Sequence, residues 1–316
     1  MKIIYSLDEL QHPLENPVLT IGNFDGVHKG HLALFDKVKE RARAIHGQSA
    51  VMTFDPHPIK VMKPGNGPPL ITTTQRKLKL IAGAGVDVIF CLPFTREFAE
   101  MSAESFIRDV LLDKLGLKEI VVGYDYSFGK QREGNIDLLR KLGETLGYKV
   151  HEVKPVLIDE TLVSSTSIRN LISGGDIEAA KTLLGRDYQI SGTVVKGQNR
   201  GGRLLGFPTA NLMLEDELIP KRGIYAVTVG LDDKTFWGVT NIGYNPTFGN
   251  ETLTIETHIL DFSGDLVGKA IKITFLHRLR DEKTFNSVEE LSEQIALDIQ
   301  HAKDLLGIAK TARHVG

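Results

Sequence analysis

The chain changes rhythm once. Up to about residue 150, short apolar runs rich in valine and isoleucine occur at 18–21, 50–54, 86–92, 120–122 and 150–153. They are too short for helices and read as strands. Between them lie amphipathic stretches at 31–45, 73–82, 103–115 and 135–146, which read as helices. Ser102 is a good N-cap before the third, and Gly83, Gly116 and Gly147 stand where helices should stop. Strands alternating with helices predict a parallel sheet covered on both faces. "SSTSIRNLISGGDIEAAKTLLG", 164–185, then reads as two short helices, with Gly174 ending the first and Asp176 capping the second.

Beyond Arg186 the period falls to two. "YAVTVGL", "FWGVTNIG", "TLTIETHILDF" and "AIKITFLHRL" alternate apolar with polar and are joined by Gly, Asp and Asn turns. That pattern predicts an antiparallel domain closed as a barrel. A last helix is expected at 288–306, with Ser287 as N-cap and Glu290 three residues on. The predicted architecture is therefore α/β: a doubly wound parallel-sheet domain, 1–185, followed by an antiparallel β-barrel domain with a C-terminal helix, 186–316.

With 316 residues, 41% hydrophobic and 25% charged, the chain suits two globular domains. A net charge of −2 argues against a broad nucleic-acid or membrane-surface footprint. One cysteine, Cys91, excludes an internal disulfide and a Cys-rich zinc site. No apolar run suits a signal peptide or a membrane span, so a cytoplasmic location is expected.

In doubly wound sheets ligands bind beyond the carboxyl ends of the strands. The unusual residues fall there. "GNFDGVHKGH" follows the first run, "DPHP" the second and "GYDYSFG" the fourth, while "VSSTSIR" comes soon after the fifth. Gly22, Gly26 and Gly30 allow close backbone approach to a phosphate. A helix starting near Gly30 turns free N–H groups toward an anion, and His28 and His31 at that start could donate to phosphate oxygens. Ser164, Ser165, Thr166 and Ser167 add hydroxyls at a second helix start, and Arg169 a forked cation. The inventory suits phosphoryl or nucleotidyl transfer, in which positioning and electrostatics do most of the catalysis. No G-x-x-x-x-G-K-[ST] and no G-x-G-x-x-G is present, so P-loop and dinucleotide-fold chemistries are set aside.

A second constellation opens the β domain. "GQNRGGRLLGFPTANL", 197–212, sets Gly197, Gly201, Gly202 and Gly206 among Lys196, Arg200 and Arg203. On a strand, Thr209 and Asn211 share a side, where a hydroxyl and an amide oxygen could ligate Mg²⁺. In "LTIETHILDF", Thr254, Glu256 and His258 share one face and Ile255, Thr257 and Ile259 the other, more apolar one. For an arbitrary strand the first face is simply the solvated outside.

Taken together, "GNFDGVHKGH", "FDPHP", "GYDYSFG", "SSTSIR" and "PTAN" resemble one branch of the H-x-G-H nucleotidylyltransferases, the bacterial bifunctional riboflavin kinase/FAD synthetases, over the whole chain. The resemblance implies ATP and Mg²⁺ as co-substrate and cofactor, riboflavin and FMN as substrates, and FAD as product. It implies no nucleic-acid or membrane partner. By it, His28, His31, Arg169 and Glu256 are catalytic, the last as general base toward the ribityl hydroxyl. Gly22, Asp25, Gly30, Asp125, Ser165, Thr166, Gly197, Thr209 and Asn211 contact nucleotide, and Thr209 and Asn211 hold the metal. Asp55, His57, Arg280 and Glu282 are its flavin contacts. Asp125 departs from the family, which commonly carries Asn there. The rivals are another H-x-G-H cytidylyl- or adenylyltransferase, and a non-catalytic flavin-binding protein on the same fold. A class I aminoacyl-tRNA synthetase is disfavoured by the absence of K-M-S-K-S.

Overall fold

The computed structural model describes residues 1–65, 67–197, 207–214, 217–247 and 250–308. The chain forms two compact units, Met1–Ser167 and Ile168–Gly316.

The first unit is built on six parallel strands: β1 (Lys2–Ile4), β2 (Val18–Ile21), β3 (Ser49–Phe54), β4 (Val88–Leu92), β5 (Glu119–Gly123) and β6 (Lys149–Val153). They are ordered β1-β4-β3-β2-β5-β6. β2, β3, β4 and the middle of β5 are buried almost throughout, as central strands covered on both faces must be. On one face lie α1 (Lys29–Ala44) and, beyond the short α2 (Pro58–Met62), α3 (Thr74–Gly83), through Phe35, Leu78 and Ile81. The short α4 (Arg96–Ala99) precedes the helical stretch on the other face, where α5 (Ala103–Ser105) runs on into Phe106–Lys114. That stretch and α6 (Ile136–Leu146) bury Phe106, Ile107, Leu111, Ile136 and Leu139. The chain steps from β2 to β3 and β4 on one side and returns to β5 on the other. The crevice of this sheet therefore opens where the loops after β2 and β5 diverge.

Several expectations change in detail. β1 is an additional edge strand, too short for its alternation to register, with Ile4 fully buried against β4. Phe106–Lys114 is wound as π-helix rather than α-helix. α3 takes in Gly83, and the left-handed residue is Gly85, at φ 77°. The link after β6 holds a small hairpin, β7 (Leu157–Ile158) and β8 (Thr161–Leu162). Ser102 caps as expected, accepting from the Ser105 N–H at 3.1 Å.

In the second unit, β9 (Tyr188–Val195), β10 (Thr209–Leu214), β11 (Gly223–Leu231), β12 (Lys234–Thr247), β13 (Asn250–Ile259) and β14 (Ala270–Arg280) close into an antiparallel barrel ordered β10-β13-β12-β11-β14-β9. Tyr225, Val227, Ile242, Ile273 and Phe275 are fully buried in it, and the Thr240 and Thr257 hydroxyls satisfy each other at 2.8 Å. α7 (Ser165–Gly174) runs across the division between the units, and α8 (Ile177–Leu184) follows it. Ile168, Ile172, Ile177 and Leu183 are buried. Glu178 of α8 meets His277 of β14 at 3.0 Å, and the Lys221 N–H donates to the Ile172 carbonyl. The compact division thus falls ahead of the change in sequence rhythm near 185, because these helices share the period of those before them. α9 (Val288–Leu305) lies on the outside of the barrel through Ala302 and Ile299 against Ile224, Ala226 and Val239.

At the amino end of the sheet, Glu119 is buried and accepts from Arg41 Nε and Nη2 at 2.8 and 2.9 Å and lies 2.8 Å from His151 Nε2. The Arg41 hydrogen bonds hold its carboxyl below the usual carboxylate range. Its ionised form therefore stabilises the fold at neutral pH, and that contribution fades as pH falls through the depressed value. Glu119→Gln should lower the melting temperature at pH 7 by roughly 3–6 °C. The gap from the wild type should narrow below about pH 4. Thermal unfolding followed at several pH values checks both.

Candidate active sites

The loop between β2 and α1 holds a reciprocal cap made of two histidines. His28 is the N-cap: its Nδ1 accepts from the His31 N–H at 3.3 Å, and His31 Nδ1 accepts from the His28 N–H at 3.3 Å. The rings stack at 3.5 Å between centroids, 19° apart, and the His31 ring meets the edge of Phe24. A nitrogen that accepts carries no proton, so in each neutral imidazole the N–H is Nε2. The cap thus turns two histidines into two fixed donors beside the free N–H groups of a sixteen-residue helix. Gly30 is required by close approach, because a Cβ there would lie 3.1 Å from the His28 ring and 3.2 Å from the Val163 carbonyl.

The loop is strained. Phe24 and Val27 hold φ of 49° and 38°, which costs on the order of 1–3 kcal/mol each for side chains of this kind. Asp25 holds it there. Its carboxylate is 3% exposed and accepts from the Ile71 N–H, the Thr72 N–H and the Thr72 hydroxyl at 3.1, 3.1 and 3.3 Å. Its side chain therefore points into the fold and ties the loop to residues 71 and 72. Ser165 donates its one hydroxyl proton to the Asp25 carbonyl at 2.8 Å, joining the start of α7 to the same loop. Ser164 caps that helix through the Ser167 N–H. Thr166 is exposed beside them, and Arg169, one turn on from Ser165, opens the second unit.

Asp55 accepts from the Thr74 hydroxyl at 2.7 Å, and His57 caps α2 through the Ile59 N–H. Asp125 is exposed in the turn that closes between Gly123 and Tyr126 after β5. Gly22 donates its N–H to the Met52 carbonyl, tying the loop to β3.

On the barrel, strand register assembles a row. Asn211 of β10 faces Glu256 of β13, which faces Asn241 of β12; Asn241 faces Ile224 of β11, which faces Arg280 of β14. Directly paired residues share a face, here the outer one, since Ile255, Thr257 and Ile259 are the buried side of β13. Thr209 lies two residues from Asn211 on the same face of β10. Gly197 also answers to close approach: a Cβ there would lie 2.1 Å from Asn211 Nδ2. Arg280 forks onto Asp298 of α9 at 2.8 and 2.6 Å, so its guanidinium fastens the last helix to the barrel. Glu282 lies 3.6 Å from Arg222 and over Gly243. Arg200, Gly201, Gly202, Arg203 and Gly206 lie outside the described residues.

A family model for FAD synthetase matches residues 10–167, and one for riboflavin kinase matches residues 184–306. The chain belongs to the bifunctional riboflavin kinase/FAD synthetase family. The bifunctional riboflavin kinase/FMN adenylyltransferase of Escherichia coli (strain K12) is 39% identical over 314 residues, 99% of this chain and 100% of its own. The protein of that name from Haemophilus influenzae is 35% identical over 304 residues, 96% and 98% of the two chains. A crystal structure described as a macrolide-efflux protein from Streptococcus pneumoniae is 31% identical, with a TM-score of 0.85, over 96% of this chain and 98% of that one. Among the described residues no helix is long and apolar enough to cross a membrane.

Within the FAD synthetase unit, sequence reasoning missed Lys77. It is 4% exposed, and its Nζ donates to the Phe54 carbonyl at 3.0 Å, at the root of the Asp55 loop. Burial pushes its ammonium below the usual lysine range, against the opposing charges of Asp25 and Asp55. The available signal was its place in α3: Lys77 stands beside Leu78 and four residues before Ile81 on the buried stripe. In the kinase unit Asn241 was missed, because its partners are set by strand register.

If the cap is the structural duty of His28, His28→Ala should destabilise the first unit by about 0.5–2 kcal/mol, whereas His28→Ser, a good N-cap, should stay close to wild type. Thermal unfolding of the two variants distinguishes them.

Proposed function

We propose that the chain makes FAD from riboflavin in two steps, one on each unit. The barrel phosphorylates riboflavin to FMN with ATP. The parallel-sheet unit joins FMN to the adenylyl group of a second ATP and releases pyrophosphate. The end-to-end match to bifunctional relatives supports both activities. The observation that carries the assignment of residues is the pairing, in one chain, of the two-histidine cap with the Asn211–Glu256 row. Its dependence on ATP supports a cytoplasmic location.

In the adenylyl step an FMN phosphate oxygen attacks the α-phosphorus of ATP, and the bond to the β-phosphate oxygen breaks. The Nε2–H groups of His28 and His31 donate to the α-phosphate as its charge grows. Because these donors are fixed by the cap before substrate arrives, they stabilise the transition state without reorganising. The first-turn N–H groups of α7 and the Thr166 hydroxyl receive the departing pyrophosphate, with Arg169 supplying a cation on the same helix. The Ser165 hydroxyl, bonded to Asp25, positions that helix start. Asp55, His57 and the exposed Asp125 border the flavin and adenine ends of the crevice.

In the kinase step Glu256 takes the proton of the terminal ribityl hydroxyl, whose oxygen attacks the γ-phosphorus while ADP leaves. Thr209 and Asn211 present a hydroxyl and an amide oxygen on one face of β10, and the Gly197 backbone closes over Asn211. Such hard oxygens would hold Mg²⁺, which would supply charge to offset that of the transferring group.

Three outcomes are expected. His28→Ser and His31→Gln should each lower FMN adenylylation by about 10²–10³-fold, the loss seen for one fixed oxyanion donor, with riboflavin phosphorylation unchanged. Glu256→Gln should lower riboflavin phosphorylation by about 10²–10⁴-fold and leave adenylylation of supplied FMN intact. Chromatography of FMN and FAD after timed incubation measures both. A chain beginning at Ser164, with α7 and α8, should phosphorylate riboflavin without making FAD. One beginning at Arg186 should melt at lower temperature, because β9 and β14 lose the cover of α8; calorimetry reads that difference.

A further inference from the structure

Asn241 presents an anomaly. Its Oδ1 is buried and has no hydrogen-bond partner among the described residues. A buried amide oxygen left unpaired is costly, and folded chains rarely keep one without a use. Its position indicates the use. Along the row, Asn211 stands on one side of Glu256 and Asn241 on the other, one strand spacing away in each direction. Beyond Asn241 comes apolar Ile224, packed beneath α9. In an in-line phosphoryl transfer the phosphorus lies between the leaving and attacking oxygens, and the base sits at the attacking hydroxyl, on the acceptor's side. With ATP and its metal on the Asn211 side, the side of Asn241 belongs to the acceptor.

A second acceptor oxygen converges on the same spot. A Cβ built on Gly243 would lie 1.9 Å from Glu282 Oε1 and 3.5 Å from Asn241 Oδ1, so the place of the missing side chain is taken by the Glu282 carboxylate, which faces the Asn241 amide oxygen across the glycine. Two acceptors with no donor between them among the described residues suit a molecule that brings several hydroxyls. We infer that Asn241 is a further substrate-binding residue of the kinase: its side-chain amide holds a hydroxyl of the ribityl chain of riboflavin on the acceptor side of Glu256. A hydroxyl both donates and accepts, so the amide serves it in either orientation. The inference rests on the assignment of Glu256 as base.

The test is steady-state riboflavin phosphorylation by the full chain. Asn241→Leu should raise KM for riboflavin about tenfold, the loss of one hydrogen bond to a neutral group. KM for ATP and adenylylation of supplied FMN should stay at wild-type values. Asn241→Ser, which leaves the space polar and uncrowded, guards against a folding defect in the leucine variant. In the unaltered chain, one riboflavin analogue lacking a single ribityl hydroxyl, other than the one phosphorylated, should show the same rise. That analogue should show no further rise in Asn241→Ser. An unchanged riboflavin KM in Asn241→Leu, with Glu256→Gln disabled, overturns the role of Asn241 and leaves the base in place. Wild-type rates in both variants overturn the whole face. A raised KM for ATP instead assigns the amide to the nucleotide and also overturns the inference, as does equal KM for every analogue in the unaltered chain.

Discussion

The carboxyl edge of the parallel sheet depends on one buried carboxylate. Asp25 gathers two backbone N–H groups and a hydroxyl from residues 71 and 72, and its own carbonyl receives the Ser165 hydroxyl. These bonds hold a loop in which Phe24 and Val27 adopt backbone angles that such residues avoid. The strain has a purpose at its far end. Only with the chain turned this way does His28 arrive as N-cap of α1, so that the two histidines close on each other. A serine or aspartate would cap the helix equally well. What histidine adds is a second nitrogen, held as a donor by the bond the first one accepts.

The barrel solves its positioning problem by other means. No loop has to be forced. Antiparallel register places Asn211, Glu256 and Asn241 side by side on three adjacent strands, and the closed ladder holds them there. The ion pair of Arg280 with Asp298 sits at the end of the same row and carries α9. It therefore links the packing of the last helix to the strand face on which the base stands.

Much of this was legible in the chain. The strand runs at 18–21, 50–54 and 120–122 and the period-two runs after 186 named both layers of architecture. H-x-G-H at a strand-to-helix turn named the first site, and PTAN named the second. Less legible was what each polar group would be occupied with. Arg280 reads as a flavin contact, and it is found holding Asp298 at 2.6 Å, a duty to the fold that the sequence does not show. Ser165 reads as a nucleotide contact, and its hydroxyl is found donating to the Asp25 carbonyl, which the sequence does not show. Lys77 drew no reading at all, and its ammonium is found buried and donating to the Phe54 carbonyl.

Sequence by itself determined the longer strands and helices, and which residue types could handle phosphate and flavin, because periodicity and side-chain chemistry are local; the three-residue β1 and the small β7–β8 hairpin are too short to carry a period. Tertiary structure alone decided where the units divide, which donors and acceptors are already used within the fold, and which residue stands next to Glu256. Those are matters of who meets whom across the chain. The β12–β13 hairpin sets Asn241 on one side of Glu256, and the pairing of β10 with β13, strands not consecutive in the chain, sets Asn211 on the other.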